Sequence, residues 1–422
     1  MVTERISEAT SEATEALIYD WNARGRPSRL GDRPVMVYDE TLRDGLQGPS
    51  VYDPPIEAKK RIIDLLDALG VAWVNLGLPG AGPRAVEDVT ELAKHIRDTG
   101  LKIKPSCAAR THINDIRPVA EISQAVGIEI EVMAFLGTSA IRQYVEHWTI
   151  DRLLEFSTTA IDFGVKEGLG VTFVTEDTIR SRPETLSTLF RNAIEHGVHG
   201  LCLCDTVGHS TPDGVRSLVG FTRALIDGSG EDVRIDWHGH NDRGLALPNT
   251  LAAVEAGVDR AHGTVLGIGE RVGNTATDQL LVNLILLGAM EGDLTKLPEL
   301  TQTVAEAVHW NVPNNYPITG ADAFRTATGV HAAAMVKAEE AGDKWVYERV
   351  YTGVPAELIG REHSIEIGPM SGVSNVRYWL QAHGYSVDDA TIDAIFAAAK
   401  RSDHVFTEDE VHALAKGAPV QG

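Results

Sequence analysis

From about residue 34 the sequence settles into one rhythm. A short apolar, strand-like run alternates with a stretch carrying the three-to-four-residue spacing of an amphipathic helix. Eight such runs occur: Val35–Tyr38, Trp73–Leu78, Ile103–Cys107, Glu129–Phe135, Val171–Val174, Gly200–Cys204, Arg234–Trp237 and Arg260–Leu266. Each is separated from the next by enough chain for one crossover helix. Eight β–α units within roughly 250 residues predict an α/β fold of the (β/α)8 (TIM) barrel type. A doubly wound open sheet needs fewer strands and usually carries a phosphate-binding glycine loop after its first strand. Here the first run is followed by Asp39-Glu-Thr-Leu-Arg-Asp-Gly45. The later Gly267-Ile-Gly-Glu-Arg-Val-Gly273 has the wrong glycine spacing and follows the last run. Dinucleotide binding is therefore not expected.

The rhythm predicts three regions: an N-terminal helical arm (1–33), a catalytic barrel (34–290) and a smaller, mostly helical C-terminal region (291–422). In the arm, Ile6, Ala9, Ala13, Ala16, Leu17 and Trp21 recur at roughly helical spacing before Gly25, Pro27 and Gly31 break the pattern. The C-terminal region carries helical stretches at Leu300–His309, Asn375–Ala382 and Thr391–Lys400, and a capping-box pattern at Thr407-Glu-Asp-Glu410.

Composition narrows the function. The 422-residue chain bears a formal net charge of −22, a field that repels nucleic acid and anionic lipid alike. An acidic substrate would have to be captured by local cations. No run of roughly 18 apolar residues occurs, so no membrane span is expected. The N-terminus lacks the basic and apolar segments of a signal peptide. Three cysteines are too few for a disulfide framework. Together these predict a cytoplasmic protein without nucleic-acid or membrane partners.

In a barrel of this kind the C-terminal ends of the strands converge on one rim, where the active site lies. The predicted strand ends are unusually polar: Arg43-Asp44-Gly45 after the first, Thr175-Glu-Asp177 after the fifth, Asp205-Thr206 after the sixth, His238-Gly-His240-Asn-Asp242 at the seventh and Gly269-Glu-Arg-Val-Gly-Asn274 after the eighth. Two residues apart on a strand, His238 and His240 project to the same side. An arbitrary His-x-His is more often satisfied by backbone or acids. With Asp44 and Asn274 added, a divalent cation becomes the better partner, and a thiolate-free N/O set suits Mg, Mn or Zn with positions open for substrate. Cys202 and Cys204 also share a face, but they precede the strand tip among leucines and are expected to be core. No Gly-x-Ser-x-Gly occurs, so serine-hydrolase chemistry has no support.

Asp39-Glu-Thr-Leu-Arg-Asp-Gly-Leu-Gln47, Asp205-Thr-Val-Gly208, His238-Gly-His-Asn-Asp242 and Gly267-Ile-Gly-Glu-Arg-Val-Gly-Asn274 resemble the signatures of the DRE-TIM metallolyases, nearest the branch of 2-isopropylmalate and homocitrate synthases. The resemblance runs from about residue 34 nearly to the end. It implies a Claisen-type condensation of an acyl-CoA, usually acetyl-CoA, with a metal-chelated 2-oxo acid, followed by thioester hydrolysis. Asp44, His238, His240 and Asn274 would hold the metal, and Arg43 would stabilise the alkoxide. Gln47 would bind the 2-oxo acid or order its loop, Glu176 would transfer a proton or align the acyl group, and Thr206 would donate to a carboxylate.

Thr328-Gly-Val-His331 resembles the family's Ser-Gly-Ile-His stretch, and Tyr351 fits its catalytic tyrosine, with Tyr347 an alternative. In the family these two act in a partner subunit's active site, which implies a homodimer with the C-terminal region contributed across the interface. Some positions depart from the pattern. The glutamate common on strand two is Asn75, and two residues that serve 2-oxoglutarate in homocitrate synthases are Thr172 and Val174. His112 or Arg142 could still meet a second carboxylate, so the acceptor stays open. A lyase or aldolase resembling 3-hydroxy-3-methylglutaryl-CoA lyase is the alternative, but that enzyme has a cysteine in the loop after strand eight, where this chain has Glu270.

Overall fold

Eight parallel strands follow one another around a closed barrel in chain order: β1 (Met36–Asp39), β2 (Trp73–Asn75), β3 (Lys104–Arg110), β4 (Glu131–Gly137), β5 (Val171–Glu176), β6 (Gly200–Asp205), β7 (Arg234–Gly239) and β8 (Arg260–Gly263). β8 pairs back on β1, with Met36 opposite Arg260 and Asp39 opposite Gly263. The computed structural model describes residues 17–23 and 34–417. The described residues form two compact units, 34–312 and 313–417 with 17–23. Among the described residues no helix is long and apolar enough to cross a membrane.

Every predicted run contains a strand, with ends moved by local hydrogen bonding. β3 continues to Arg110, whose Nε donates to Asp115 Oδ2 at 2.7 Å. β8 stops at Gly263, because the chain turns through Val265–Gly267 with Leu266 at φ 60° and Thr264 N donating to Thr275 O at 2.9 Å. The crossover helices bury one stripe each. Ile150–Lys166 is capped by the Thr149 hydroxyl and buries Leu153, Ala160 and Ile161. Its Gly164 lies so near β5 that a Cβ would stand 2.7 Å from Val171 Cγ2. Bulk there would push the helix off the barrel.

Barrel interiors of this fold are usually filled by branched apolar side chains; this one carries charge. Arg260, wholly buried, donates to Asp236 Oδ2 at 3.0 Å and to Glu131 Oε2 at 2.6 Å. Thr172 donates to Glu131 Oε1 at 2.6 Å, so it belongs to this interior network. Tyr38 stacks on His262 with centroids 4.1 Å apart. Burial alone would push the Asp236 carboxyl up, yet Arg260 beside it holds it well below the usual carboxylate range.

One boundary differs from the sequence reading. The barrel unit reaches Val312 rather than 290, because helix Leu297–Ala307 lies within it: Arg61 pairs with Glu299, and Tyr52 N donates to Val308 O at 3.1 Å. Of the N-terminal arm, Ile6, Ala9, Ala13 and Ala16 lie outside the described residues. Leu17 is in a turn and Trp21–Ala23 form a 3₁₀ turn, with Leu17 and Trp21 exposed. The described part is not α-helical. The C-terminal unit is mostly helical, and its capping box is formed, with Thr407 N donating to Glu410 Oε2 at 2.7 Å.

Arg260→Met should leave Asp236 and Glu131 buried with their main cation gone. A buried pair broken on one side costs about 3–5 kcal/mol, so urea unfolding of the barrel should lose stability on that scale. A change of about 1 kcal/mol or less would mean that the network is not holding the interior.

Candidate metal centre and active site

The rim begins at β1. Asp39, at the strand's end, accepts from Thr41 N at 2.9 Å and from the Thr277 hydroxyl at 2.8 Å. Burial pushes its carboxyl up to about 6 even so. The following loop closes through Gly45 N donating to Glu40 O at 3.0 Å. That turn places Asp44, 2% exposed, at the start of the 3₁₀ turn Gly45–Gln47.

β7 contributes His238, and His240 follows one residue beyond its end. Both are buried, and their Nε2 atoms stand 3.3 Å apart. Asp44 Oδ2 lies 3.2 Å from His238 Nε2 and 3.6 Å from His240 Nε2. Ligands about 2.0–2.2 Å from one ion stand roughly 3 Å from each other, so these three atoms have the spacing of a shared coordination sphere.

The loop after β8 brings the fourth candidate. Asn274 forms a bridge with His240, and its Nδ2 donates to Ile268 O at 3.3 Å, which leaves Oδ1 as the free end of the amide. The bend needs glycine at 273 (φ 87°), where a Cβ would fall 1.8 Å from Gly267 O. Asp44 Oδ1, His240 Nδ1 and Asn274 Oδ1 are all buried without a hydrogen-bond partner. Two imidazole nitrogens facing each other beside a carboxylate, with orphaned oxygens around them, are the donor set that a divalent cation satisfies. The residues present fit the metal.

Burial opposes charge on His238, but Asp44 and Glu40, one at each ring nitrogen, push its pKa up to about 10. Burial and then the charge on His238 hold His240 down to about 4. Glu40, beside Asp44 in the loop, was not singled out from the sequence. It is 3% exposed and takes an ion pair from Arg43 and a contact from His262 Nδ1 at 3.2 Å.

A cavity of about 300 Å3 opens here, lined by Arg43, Asp44, Gln47, Glu176, Thr206, His238 and His240 among its polar groups. Leu78, Ala108, Met133, Phe135 and Val174 supply apolar wall. The strand tips pointed to Arg43, Asp44, Glu176, Thr206, His238 and His240, and the resemblance to Gln47; the sequence reading did not find this wall, nor Glu40 and Glu270 as lining residues. Cys202 and Cys204 are buried as expected, but not among leucines. They pack with Tyr38 and Met133 inside the barrel and reach the cavity, because alternation gives Leu201 and Leu203 the helix-facing side.

Thr206 Oγ1 accepts from Asp177 N at 2.8 Å, which leaves its own proton to give. Glu176 pairs with Arg142 Nε at 3.0 Å; burial raises its pKa, and Arg142 only partly offsets this. Arg142 also pairs with Glu146 at 3.0 Å. His112 is not brought to the cavity. It is exposed and caps helix Ile113–Val126, its Nδ1 accepting from Asn114 N at 3.1 Å. His331 and Tyr351 belong to the C-terminal unit, where their rings stack 4.0 Å apart and help line a cavity of about 210 Å3 that also takes in Tyr347 and His363.

A closed parallel barrel whose C-terminal rim gathers two imidazoles, an aspartate, an asparagine and an arginine over a small cavity defines the class: a (β/α)8-barrel enzyme equipped for a divalent metal. The sequence pattern described as HMGL-like matches residues 34–304, and the chain belongs to that family. Among its relatives, the 2-isopropylmalate synthase of Shouchella clausii is 31% identical over 90% of this chain and 73% of its own length. A homocitrate synthase of Methanopyrus kandleri is 32% identical over 87% of each chain. In fold, the chain resembles the hydroxymethylglutaryl-CoA lyase of Pseudomonas aeruginosa, with a TM-score of 0.54 at 21% identity over 65% of this chain and 92% of that one.

As a metal ligand His238, with its pKa pushed up to about 10, would have to give up a proton, so metal binding near neutrality would release one. Affinity should rise about tenfold for each unit of pH between 6.5 and 8.5. Manganese titrations of the stripped protein check this, and an affinity flat with pH would contradict it.

Proposed function

We propose that the protein condenses an acyl-CoA, acetyl-CoA in the first instance, with a 2-oxo acid and then hydrolyses the thioester, releasing CoA and a 2-hydroxy dicarboxylic acid. The observation that carries this reading is the one cavity that unites the Asp44–His238–His240 cluster with Arg43, Glu176 and Thr206. The names of the synthase relatives support it.

In the reaction the acyl group's α-carbon loses a proton and its electron pair forms the new bond to the 2-oxo carbon. The carbonyl oxygen becomes an alkoxide and is protonated to the hydroxyl. Water then replaces sulfur at the acyl carbon, and CoA leaves with a proton. A divalent ion held by Asp44, His238, His240 and Asn274 would supply Lewis acidity toward the 2-oxo acid.

The chain's own groups do the rest. Arg43 stays charged, because Glu40 and Asp44 outweigh its burial, and its Nε has no protein partner. It is the donor for the alkoxide. Glu176, with its pKa raised by burial, is suited to accept a proton, and Thr206 donates to the acceptor's carboxylate. His331 with Tyr351 handles protons at the thioester in a partner subunit of a homodimer. Tyr351 fits better than Tyr347: it is exposed and stacked on His331, whereas Tyr347 is tied to Tyr378 and burial drives its pKa up.

The wall of Leu78, Met133, Phe135 and Val174 favours an acceptor with an apolar side chain over one with a distal carboxylate. His112 is turned to helix capping and Arg142 is engaged by two glutamates, which leaves a distal carboxylate poorly served.

A free-thiol assay with acetyl-CoA, Mg or Mn and a panel of 2-oxo acids tests the reading. CoA release should depend on an apolar 2-oxo acid and exceed that with 2-oxoglutarate. Arg43→Ala should lower kcat about 10²–10³-fold while metal affinity stays within about threefold. Silence across the panel, with cleavage of a 3-hydroxyacyl-CoA instead, would replace the synthase with a lyase.

A further inference from the structure

We infer that Glu40 is the positioning carboxylate of this site, standing on the first strand's loop in place of the glutamate that the family resemblance leads one to expect at Asn75. Ladder register makes the two positions neighbours. Tyr38 pairs with Trp73 and Asp39 with Val74, and Glu40 and Asn75 are the next residues along. Asn75 is fully buried, and its Nδ2 lies 3.4 Å from Glu40 Oε2, while its Oδ1 accepts from Gly77 N at 3.2 Å. Two carboxylates at that spacing, both buried, would repel each other. An acid at one position therefore calls for a neutral donor at the other, and the amide of Asn75 is that donor. The charge has crossed one strand without leaving the site.

From its new position Glu40 reaches three groups besides Asn75. It pairs with Arg43, lies 3.6 Å from His238 Nδ1 through Oε1, and 3.2 Å from His262 Nδ1 through the same oxygen. All of these are nitrogens able to donate to a carboxylate. A proton on His238 Nδ1 facing Glu40 leaves the lone pair on Nε2, 3.2 Å from Asp44 Oδ2, which is the tautomer a metal ligand needs. The same carboxylate anchors Arg43, whose Nη1 is held 3.5 Å from Asp44. One acid thus aims a ligand and fixes the oxyanion donor.

Glu40 touches no reacting atom in this scheme, so its effect must pass through His238 and Arg43. The kinetic part rests on the condensation reading; the metal part does not. Three variants separate positioning from bulk structure: Glu40→Gln, Asn75→Glu, and the exchange Glu40→Asn with Asn75→Glu, which restores composition and charge. Manganese affinity by calorimetry and CoA release are measured on each.

Glu40→Gln should bind manganese about 10–100-fold more weakly and lose kcat, with KM for acetyl-CoA nearly unchanged. The exchange should recover affinity and kcat to within about threefold of the starting protein, and Asn75→Glu alone should not. Unchanged affinity in Glu40→Gln, or an exchange no better than Glu40→Gln, would overturn the inference. If the unmodified protein releases no CoA, the condensation reading fails by itself, and the manganese arm still decides the role of Glu40.

Discussion

A carboxylate and two imidazoles held with their lone-pair atoms 3.2–3.6 Å apart, nearly out of reach of water, are the arrangement on which the rest of this molecule depends. Left alone the three would repel or demand a proton, as the opposite pKa displacements of His238 and His240 record. A dication between them would convert that conflict into coordination. The barrel makes the crowding possible: β1 and β7 are separate in sequence, yet ring closure brings their tips to one rim, and Gly273 lets the loop after β8 fold against His240.

Charge runs below that rim as well. Glu40 connects the cluster to His262, His262 lies 3.5 Å from Asp236, and Asp236 meets Arg260 and through it Glu131. The polar column down the barrel axis stands where such folds usually pack apolar layers. It gives the proposed metal ligands rigid, hydrogen-bonded neighbours. The cavity's apolar wall comes from elsewhere, namely residues of β3, β4 and β5 and the loop after β2, and Arg43 is the one arginine or lysine among the lining residues.

Much of this was legible in the chain. Parallel strands buried on both faces read as short apolar runs, and the eight of them were visible; their ends were not, since Arg110 and Thr264 are placed by hydrogen bonds to loops that follow. His238 and His240 were legible because a two-residue period forces them together, and Asp44 and Asn274 because they follow strands. Glu40 was hidden in plain view within the quoted motif. Its partners Asn75 and His262 are 35 and 222 residues away, and no local spacing announces such meetings. The Arg260 network was equally invisible, because a charge at the start of a strand-like run normally faces water. His112 fell on a helix cap, a local role that sequence resemblance alone does not reveal. The roles proposed for His331 and Tyr351 in the C-terminal unit were carried by resemblance rather than by any physical pattern in the chain.

The measurement that tests the central claim most directly is anomalous diffraction from crystals grown with manganese. The expected result is one strong peak about 2.0–2.3 Å from Asp44 Oδ2, His238 Nε2 and His240 Nε2, with Asn274 Oδ1 as the fourth protein ligand. A manganese peak elsewhere in the barrel, or none at full loading while these side chains keep their places, would contradict it.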